Sequence, residues 1–240
     1  MAKKRRTPPP PRVQAPQRRD GKRTADQRTR LLLYGAAALG LIALAVVLAV
    51  IFVGGGGNSS ASEKQPLATG CTLNTFPVLP GTHVGTLDEK MKWNSWPPTS
   101  GPHYGAPAPW NFYDQALNPR ITLHNLEHGG VVIFYGSKVP AAQISALRAF
   151  WNESPNAMLV APMPTLDKNI TVPKPVPNYA NKIIATAWTA EPYDNPKNAK
   201  GNGFLLTCPR FDEETFKAFR DIHRGKGPER FPVEALTPGS

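Results

Sequence analysis

The sequence predicts an α+β fold: a small mixed β-sheet with two packed helices and a loop-rich N-terminal half, preceded by one transmembrane helix. Three observations support this prediction. The second half of the chain contains short, continuously apolar runs that are typical of buried strands. Two longer segments there repeat apolar residues at helical spacing. A long uncharged run precedes the whole region.

The uncharged run covers residues 31–53 and predicts the transmembrane helix. It contains 23 residues without charge or proline, and at about 1.5 Å per residue these span a bilayer core of about 30 Å. A secretory signal peptide is the alternative, but its apolar region is usually about 7–15 residues long and ends at a small-residue cleavage site. No clear site of that kind follows here, so we expect an uncleaved anchor.

Charge is concentrated at the N-terminus. Residues 1–30 hold 11 Lys/Arg and 2 Asp/Glu, whereas the remainder holds 17 and 15. Basic residues beside a first membrane span mark its cytoplasmic side, and they also favour contact with anionic lipid. We therefore expect a cell-membrane protein with a cytoplasmic N-terminus and an outer C-terminal domain, and no specific nucleic-acid binding. Its organisation is a disordered basic tail (1–30), the span (31–53), a flexible linker (54–67) and an extracytoplasmic domain (68–235).

The two cysteines, Cys71 and Cys208, lie on the predicted outer side and far apart in sequence. An oxidising compartment favours a disulfide between them. Neither cysteine has the C-x-x-C spacing typical of metal ligands. We therefore predict a bridge that ties the start of the domain to its end.

Strands are predicted at GGVVIFYG, AMLVAP (157–162), KIIATAWTA (182–190) and GFLLTC (203–208). VPAAQISALRAFWNES predicts a helix with Ile144, Leu147, Phe150 and Trp151 on one face. PRFDEETFKAFRDIHRG predicts a second helix, capped by Asp212, with Phe216, Phe219 and Ile222 at helical spacing. Strands and helices in this order indicate an α+β domain.

The first half of the domain is rich in loops and aromatic residues. WPPTSGPHYGAPAPW packs five prolines into 15 residues, which requires irregular backbone. The aromatic residues could wall a ligand pocket, but a core beneath the loop is the favoured interpretation. Nothing marks a nucleophile elbow at Ser100, so a serine hydrolase is not supported. The candidate pocket or supporting residues are Ser100, Tyr104, Trp110, Tyr113, Asp114 and Arg120, of which the last two could pair with each other or orient a histidine.

Histidines provide the main functional signal. Four of the five, His83, His103, His124 and His128, fall within 46 residues and lie in turn-prone stretches. His124 and His128 share a face if their segment is helical, and Glu127 beside them could be a metal ligand, a base or an orienting residue. Imidazole suits zinc or copper. A hydrogen-bonded turn remains the alternative, as does action through protonation, because the ordinary pKa of histidine lies near 6.5.

Two further patterns bear on this cluster. His124, Glu127 and His128 spell H-x-x-E-H, a zinc-protease pattern that requires a helix. Gly129 and Gly130 follow at once and stop a helix, so one or two turns at most are expected and the protease interpretation weakens. His223, near the end of the last predicted helix, is most simply a surface residue favoured by the helix dipole.

Several of these motifs resemble a bacterial domain-of-unknown-function family, number 3105. The resemblance rests on WPPTSGPHYG, WNFYD, HNLEHGGVVIFY, the pair His83–Val84, TAWTA (186–190) and the triplet Gly227 to Glu229, and it covers most of residues 70–230. The matching positions are Pro97, Pro98, Ser100, Gly101, Pro102, His103, His124, Glu127, His128 and Gly129. It implies a membrane-anchored or exported domain and supplies no reaction.

The leading hypothesis is therefore a divalent-metal-binding domain for zinc or copper, with His83, His103, His124, His128 and Glu127 as candidate ligands. A non-catalytic envelope module that binds a protein partner is the second hypothesis. A metal-dependent hydrolase with Glu127 as the catalytic candidate is the third. Proximity of His83 and His103 to the other two histidines favours the first over the second.

Overall fold

The computed structural model describes residues 66–192, 195–198 and 200–240, which belong to one compact unit over residues 63–240. The predicted basic tail, the predicted span at 31–53 and nearly all of the predicted linker lie outside the described residues. Among the residues described, no helix combines the length and the apolar character needed to cross a membrane.

The described chain forms an α+β fold, as predicted. Its helices are α1 (Pro119–Glu127), α2 (Ala141–Glu153) and α3 (Glu213–His223), and short 3-10 turns occur at Pro196–Asn198 and Val233–Ala235. Its strands are β1 (Thr72–Pro77), β2 (His83–Val84), β3 (Met91–Lys92), β4 (His103–Tyr104), β5 (Val131–Tyr135), β6 (Met158–Pro162), β7 (Ile170–Thr171), β8 (Ile183–Ala190) and β9 (Gly201–Cys208).

The main sheet has five strands in the order β1-β9-β8-β5-β6. β5 and β6 are parallel and are connected through α2, whereas the other neighbours are antiparallel. The sheet is therefore mixed, as the sequence predicts. The two predicted helices and four predicted strands are confirmed, and Asp212 caps α3 by accepting a hydrogen bond from the Thr215 backbone N–H at 2.9 Å. The edge strand β1 was not predicted.

Strand β5 is buried throughout because both faces of the sheet are covered. Its alternate residues enter two different cores. Val131 and Ile133 pack with Leu147 of α2 and Phe216 of α3. Val132 and Phe134 pack on the opposite face with α1 and with aromatic residues of the loop-rich half. The continuously apolar sequence of this strand is thus the signature of a central strand between two layers.

The cysteines form the predicted disulfide. Cys71 precedes β1 and Cys208 ends β9, so the bridge joins the edge strand to its neighbour across a sequence separation of 137 residues. Closing a loop of that length removes unfolded-state entropy worth about 5 kcal/mol in the chain-entropy model. The cross-link therefore offsets the entropic cost of pairing β1 with β9, two strands that are far apart in sequence.

Helix α1 corrects the prediction of two helices. Asn118 accepts a hydrogen bond from the Arg120 backbone N–H, and Pro119 occupies the first turn, where its missing donor has no cost. The helix then runs for nine residues, longer than the one or two turns expected from the sequence. Gly129, with a φ of +85°, ends it: Gly129 donates to the Leu126 carbonyl and Gly130 to that of Asn125. The two glycines stop the helix as predicted, and Asn118 with Pro119 is the start signal that makes it longer than expected.

The loop-rich half covers the α1 face of the sheet. Its regular structure consists of two short parallel pairs, β2 with β4 and β3 with β7. Side chains bond to backbone where ladders are lacking: Trp93 Nε1 donates to the Pro102 carbonyl at 2.9 Å, and Ser100 Oγ accepts from the Leu79 N–H at 3.0 Å. Irregular chain can be buried here because these contacts satisfy its polar groups.

His223 differs from the prediction of a surface residue. It is 5% exposed, and its ring lies against Phe204 and Phe219. Its Nδ1 lies 3.0 Å from the Thr189 hydroxyl. Burial lowers the pKa of His223 from 6.5 to about 4, and the charge of Lys226 adds to this shift. The helix dipole at the C-terminus of α3 therefore does not determine the pKa of His223, since desolvation disfavours the charged ring more strongly.

We expect His223 to make stability depend on pH. Between pH 6.5 and about 4 the unfolded chain protonates this ring while the folded protein resists, so stability falls as the pH drops through that window. A shift of this size corresponds to about 3 kcal/mol. Urea unfolding at pH 7, 6, 5 and 4 should show that much more loss in the unmodified chain than in His223→Gln. Parallel losses in the two proteins would contradict a neutral, buried His223.

Candidate metal centre

Two of the predicted ligands are brought together by strand pairing. His83 in β2 lies directly opposite His103 in β4, so the side chains of both residues project from the same face of the pair. Their ring centroids are 4.8 Å apart. This parallel pair is only two residues long, and its consequence is the placement of two imidazoles beside α1.

Helix α1 supplies three more donors from its last turn and cap. His124, Glu127 and His128 follow i, i+3 and i+4 spacing, which places them on one side of the helix. Leu123 and Leu126 point into the core instead and are almost fully buried. Asn125 anchors the helix by two hydrogen bonds with the backbone of Ala108, at 2.8 and 3.0 Å. The apolar and amide contacts thus hold the donor-bearing side against β2 and β4.

Glu127 is the focus of the first group of donors. Its Oε2 lies 3.0 Å from His83 Nε2 and 2.9 Å from His103 Nε2. With His124, these residues form a set whose ligand atoms all lie within 4.8 Å of one another, so one metal ion could be held among them. The sequence-predicted cluster is therefore assembled in space.

A second group overlaps the first. His124 Nε2 lies 3.0 Å from His128 Nε2, which lies 3.1 Å from Glu229 Oε2. These three residues also have ligand atoms within 4.8 Å of one another. Glu229 was not among the predicted ligands, although its triplet belongs to the family resemblance. A lone glutamate about 100 residues beyond the histidines carries no spacing signal, so only the fold reveals it.

Hydrogen bonds to backbone carbonyls, made by the other ring nitrogen, orient two of the imidazole rings. His103 Nδ1 lies 2.8 Å from the Gly101 carbonyl, and His124 Nδ1 lies 3.0 Å from the Tyr104 carbonyl. A carbonyl oxygen only accepts, so Nδ1 is the protonated nitrogen in each ring. In the neutral ring Nε2 therefore carries a lone pair, and it faces the cluster. Backbone carbonyls hold metal-binding histidines in the same way.

Burial controls the charge of the cluster. It lowers the pKa of His124 to about 4, with His103 and His128 contributing and the Tyr104 carbonyl opposing. Burial likewise lowers the pKa of His128, despite the nearby carboxylate of Glu127. It raises the pKa of Glu229, and the negative charge of Glu127 adds to that effect. Neutral imidazole is the form that binds metals, so this environment favours metal binding near neutral pH.

The cluster has a buried side and an exposed side. His103 and Glu127 are almost completely buried, whereas the side chains of His83 and Glu229 are 46% and 36% exposed. On the buried side, the Trp188 ring meets His103 edge to face, with centroids 6.1 Å apart. On the exposed side, Phe231 lies against His128, with centroids 4.4 Å apart. Ions from solvent would therefore approach past His83 and Glu229.

The other candidate residues have mainly structural contacts. Trp110 is core, as favoured from the sequence, and packs against the α1–β5 turn at Gly130. Tyr113 donates its hydroxyl to the Pro109 carbonyl at 2.6 Å, and the Ser100 hydroxyl holds Leu79. Tyr104 contributes through its carbonyl, which orients His124.

Asp114 and Arg120 do not pair with each other. Asp114 lies 2.7 Å from Arg148 at the surface. The buried guanidinium of Arg120 binds Asp167 at 2.6 Å and also donates to the Glu89 carbonyl. These contacts tie α1 to the loops and orient no histidine.

The C-terminal segment clasps the end of α1. The Gly225 N–H donates to the Gly129 carbonyl at 2.7 Å, and the Glu229 N–H donates to the Glu127 carbonyl at 3.1 Å. Between them, Gly227 packs directly on the backbone of Glu127 and Gly129, where a Cβ has no room. The glycines on both sides thus permit the close approach that brings Glu229 to the histidines.

Comparisons with known proteins agree with the motif-based resemblance. The model of a family described as "Protein of unknown function (DUF3105)" matches residues 83–234, a range that includes every residue of the two donor groups. No curated protein and no solved structure matches the chain.

Gly227→Ala should separate the C-terminal segment from α1. The new methyl group meets backbone atoms, which cannot rotate away, so we expect a loss of about 1–3 kcal/mol of unfolding free energy. Gly85→Ala is the control, because the nearest atom to its new Cβ is a side-chain oxygen at 3.8 Å; its effect should stay within about 0.5 kcal/mol. Equal stabilities in urea titrations would show that this contact is not tight.

Proposed function

The chain belongs to the DUF3105 family of proteins of unknown function, and we propose that its domain binds a divalent transition metal, zinc or copper. The observation that carries the proposal is the contact between His103 and Glu127. With Nδ1–H of His103 bonded to the Gly101 carbonyl, the Nε2 lone pair of a neutral ring faces a carboxylate oxygen. Two such atoms 2.9 Å apart are held together by a proton or by a metal ion.

A metal ion satisfies this requirement more completely than a proton. A proton shared by His103 and Glu127 relieves one pair of atoms, whereas four donor atoms converge in the first group alone. The ring of His124 presents a second lone pair to the same group. A cation among these donors serves several of them at once, and it also offsets the cost of burying the Glu127 carboxylate.

The spacing of the donors fits a coordination shell. Contacts of 2.9 and 3.0 Å join Glu127 to His103 and His83. Ligands held at about 2.1 Å from one ion lie about 3.0 Å apart in octahedral geometry and about 3.4 Å apart in tetrahedral geometry. The donor chemistry agrees: imidazole with carboxylate suits zinc and copper, and both cysteines are used in the disulfide.

Metal retention by the full chain, purified in detergent and stripped with a chelator, tests the proposal. After exposure to zinc or copper and desalting, we expect at least about one ion per chain by elemental analysis. His83→Ala removes a half-exposed donor with little effect on packing. It should weaken binding at the group that contains His83 about 100-fold or more, since losing an outer partner alone costs 10–100-fold.

His223→Gln is the matched control, because it removes the histidine outside the cluster and should bind like the unmodified chain. A folded chain that retains neither metal contradicts the proposal. The histidines would then only brace the loops, which is the expectation for a protein-interaction module.

We further propose that residues 31–53 anchor the chain in the cell membrane, with the basic tail cytoplasmic and the metal-binding domain outside. The uncharged run and the flanking basic residues support the span and its direction. The disulfide supports an oxidising compartment for the domain.

Two arginines in the run test the anchor. Leu44→Arg with Val47→Arg adds about 2.5–3.5 kcal/mol of insertion cost per residue, so the chain should leave the carbonate-washed membrane fraction. The control Leu44→Ile with Val47→Leu should remain. In cells with the outer barrier removed, added protease should reach the domain of the unmodified chain. A protected domain, or a mature chain that lacks residues 1–53, contradicts the anchored topology.

A further inference from the structure

We propose that the cluster holds two metal ions side by side rather than one. The first ion lies among His83, His103 and Glu127, and the second lies among His124, His128 and Glu229. Each set is two imidazoles and one carboxylate. The inference rests on the proposed metal binding and extends it to the number of ions and to Glu229.

The grouping of donor atoms supports two ions. Six residues contribute, but their ligand atoms form two sets, each within 4.8 Å, that share only His124. One ion with bonds of about 2.1 Å reaches donors at most about 4.2 Å apart. Two overlapping sets are the arrangement expected around neighbouring ions, which in two-metal sites are about 3.5–4 Å apart.

His124 has one nitrogen to offer, because its Nδ1 donates to the Tyr104 carbonyl. Its Nε2 lies 3.0 Å from His128 Nε2, the spacing of adjacent ligands on one ion. We therefore assign it to the second ion. The first set holds together without it, since Glu127 Oε2 lies 3.0 Å or less from both His83 Nε2 and His103 Nε2.

Glu229 is held in place for this role by backbone contacts. Its N–H donates to the Glu127 carbonyl, so the two carboxylate-bearing residues are tied to each other at the main chain. The glycine packing between Gly227 and Gly129 fixes the same approach. Bringing two carboxylates together is unfavourable without compensation, and a second divalent cation supplies it. Three protein donors per ion also leave each tetrahedral ion one position for an external ligand on the exposed side.

Zinc stoichiometry of the full chain in detergent tests the proposal. We expect two zinc ions per unmodified chain, and one in Glu229→Gln, which keeps the size of the side chain but loses its charge. His83→Ala should also retain one ion, and the double variant should retain none at micromolar zinc. Glu234→Gln is the matched control, because it removes an exposed carboxylate from the same segment, and it should retain two.

The possible results distinguish failure of the two-ion proposal from failure of metal binding itself. No zinc or copper in the folded chain overturns both. One ion per chain, unchanged by Glu229→Gln, overturns the second site and leaves the proposed function. Two copper(II) ions should also couple as a close pair, seen as a half-field paramagnetic resonance signal or as lost signal intensity, and Glu229→Gln should restore the signal of one isolated ion. Two copper ions that give the full intensity of isolated Cu(II) would lie apart and would overturn the paired arrangement.

Discussion

Helix α1 has to stop at Gly129, and the cluster depends on that stop. The left-handed backbone at Gly129 reverses the chain into β5, the central strand with both faces covered. Glu127 and His128 are therefore at the end of the helix, beside β2 and β4. The same turn leaves the Glu127 and Gly129 carbonyls open to the C-terminal segment, whose N–H groups bind them. One turn thus positions donors from α1 and from the C-terminal segment, next to the two histidines of β2 and β4.

Burying the polar side chains of the cluster is unfavourable, and other interactions of the fold must offset that free energy. A carboxylate and several imidazoles lie at the edge of a core that includes Trp188 and Leu126. Burying an ionised group is unfavourable unless hydrogen bonds or a counter-charge accompany it. Backbone carbonyls satisfy one nitrogen each of His103 and His124, but they leave lone pairs converging on Glu127 and His128. This convergence of donor atoms, more than any sequence motif, is the physical basis for the proposed metal site.

Two devices hold the irregular half against the sheet. The disulfide ties the edge strand β1 to β9. The buried Arg120 guanidinium joins α1 to the Glu89 and Asp167 loops. The disulfide fixes the edge strand that precedes the irregular half. The Arg120 contacts act on loops with little regular structure of their own, so the orientation of β2 and β4 does not depend on their short ladder alone. The site is thereby built on loops that a rigid sheet supports.

The sequence by itself predicted four strands of the main sheet, two helices and the cysteine pairing: β5, β6, β8, β9, α2, α3 and Cys71–Cys208. Apolar periodicity is a local signal, and a pair of cysteines can be counted. The four-histidine cluster was predictable as a set for a similar reason: an unusual density of imidazoles. The start of α1 is also a local signal, carried by Asn118 and Pro119. By contrast, Glu229, the burial of His223 and the separate partners of Asp114 and Arg120 were decided by tertiary structure. Each depends on which distant part of the chain approaches: the Gly129 turn for Glu229, Phe204 for His223, Arg148 for Asp114 and Asp167 for Arg120. Sequence spacing carries no information about such approaches, since they arise only when the sheet and its covering layers pack.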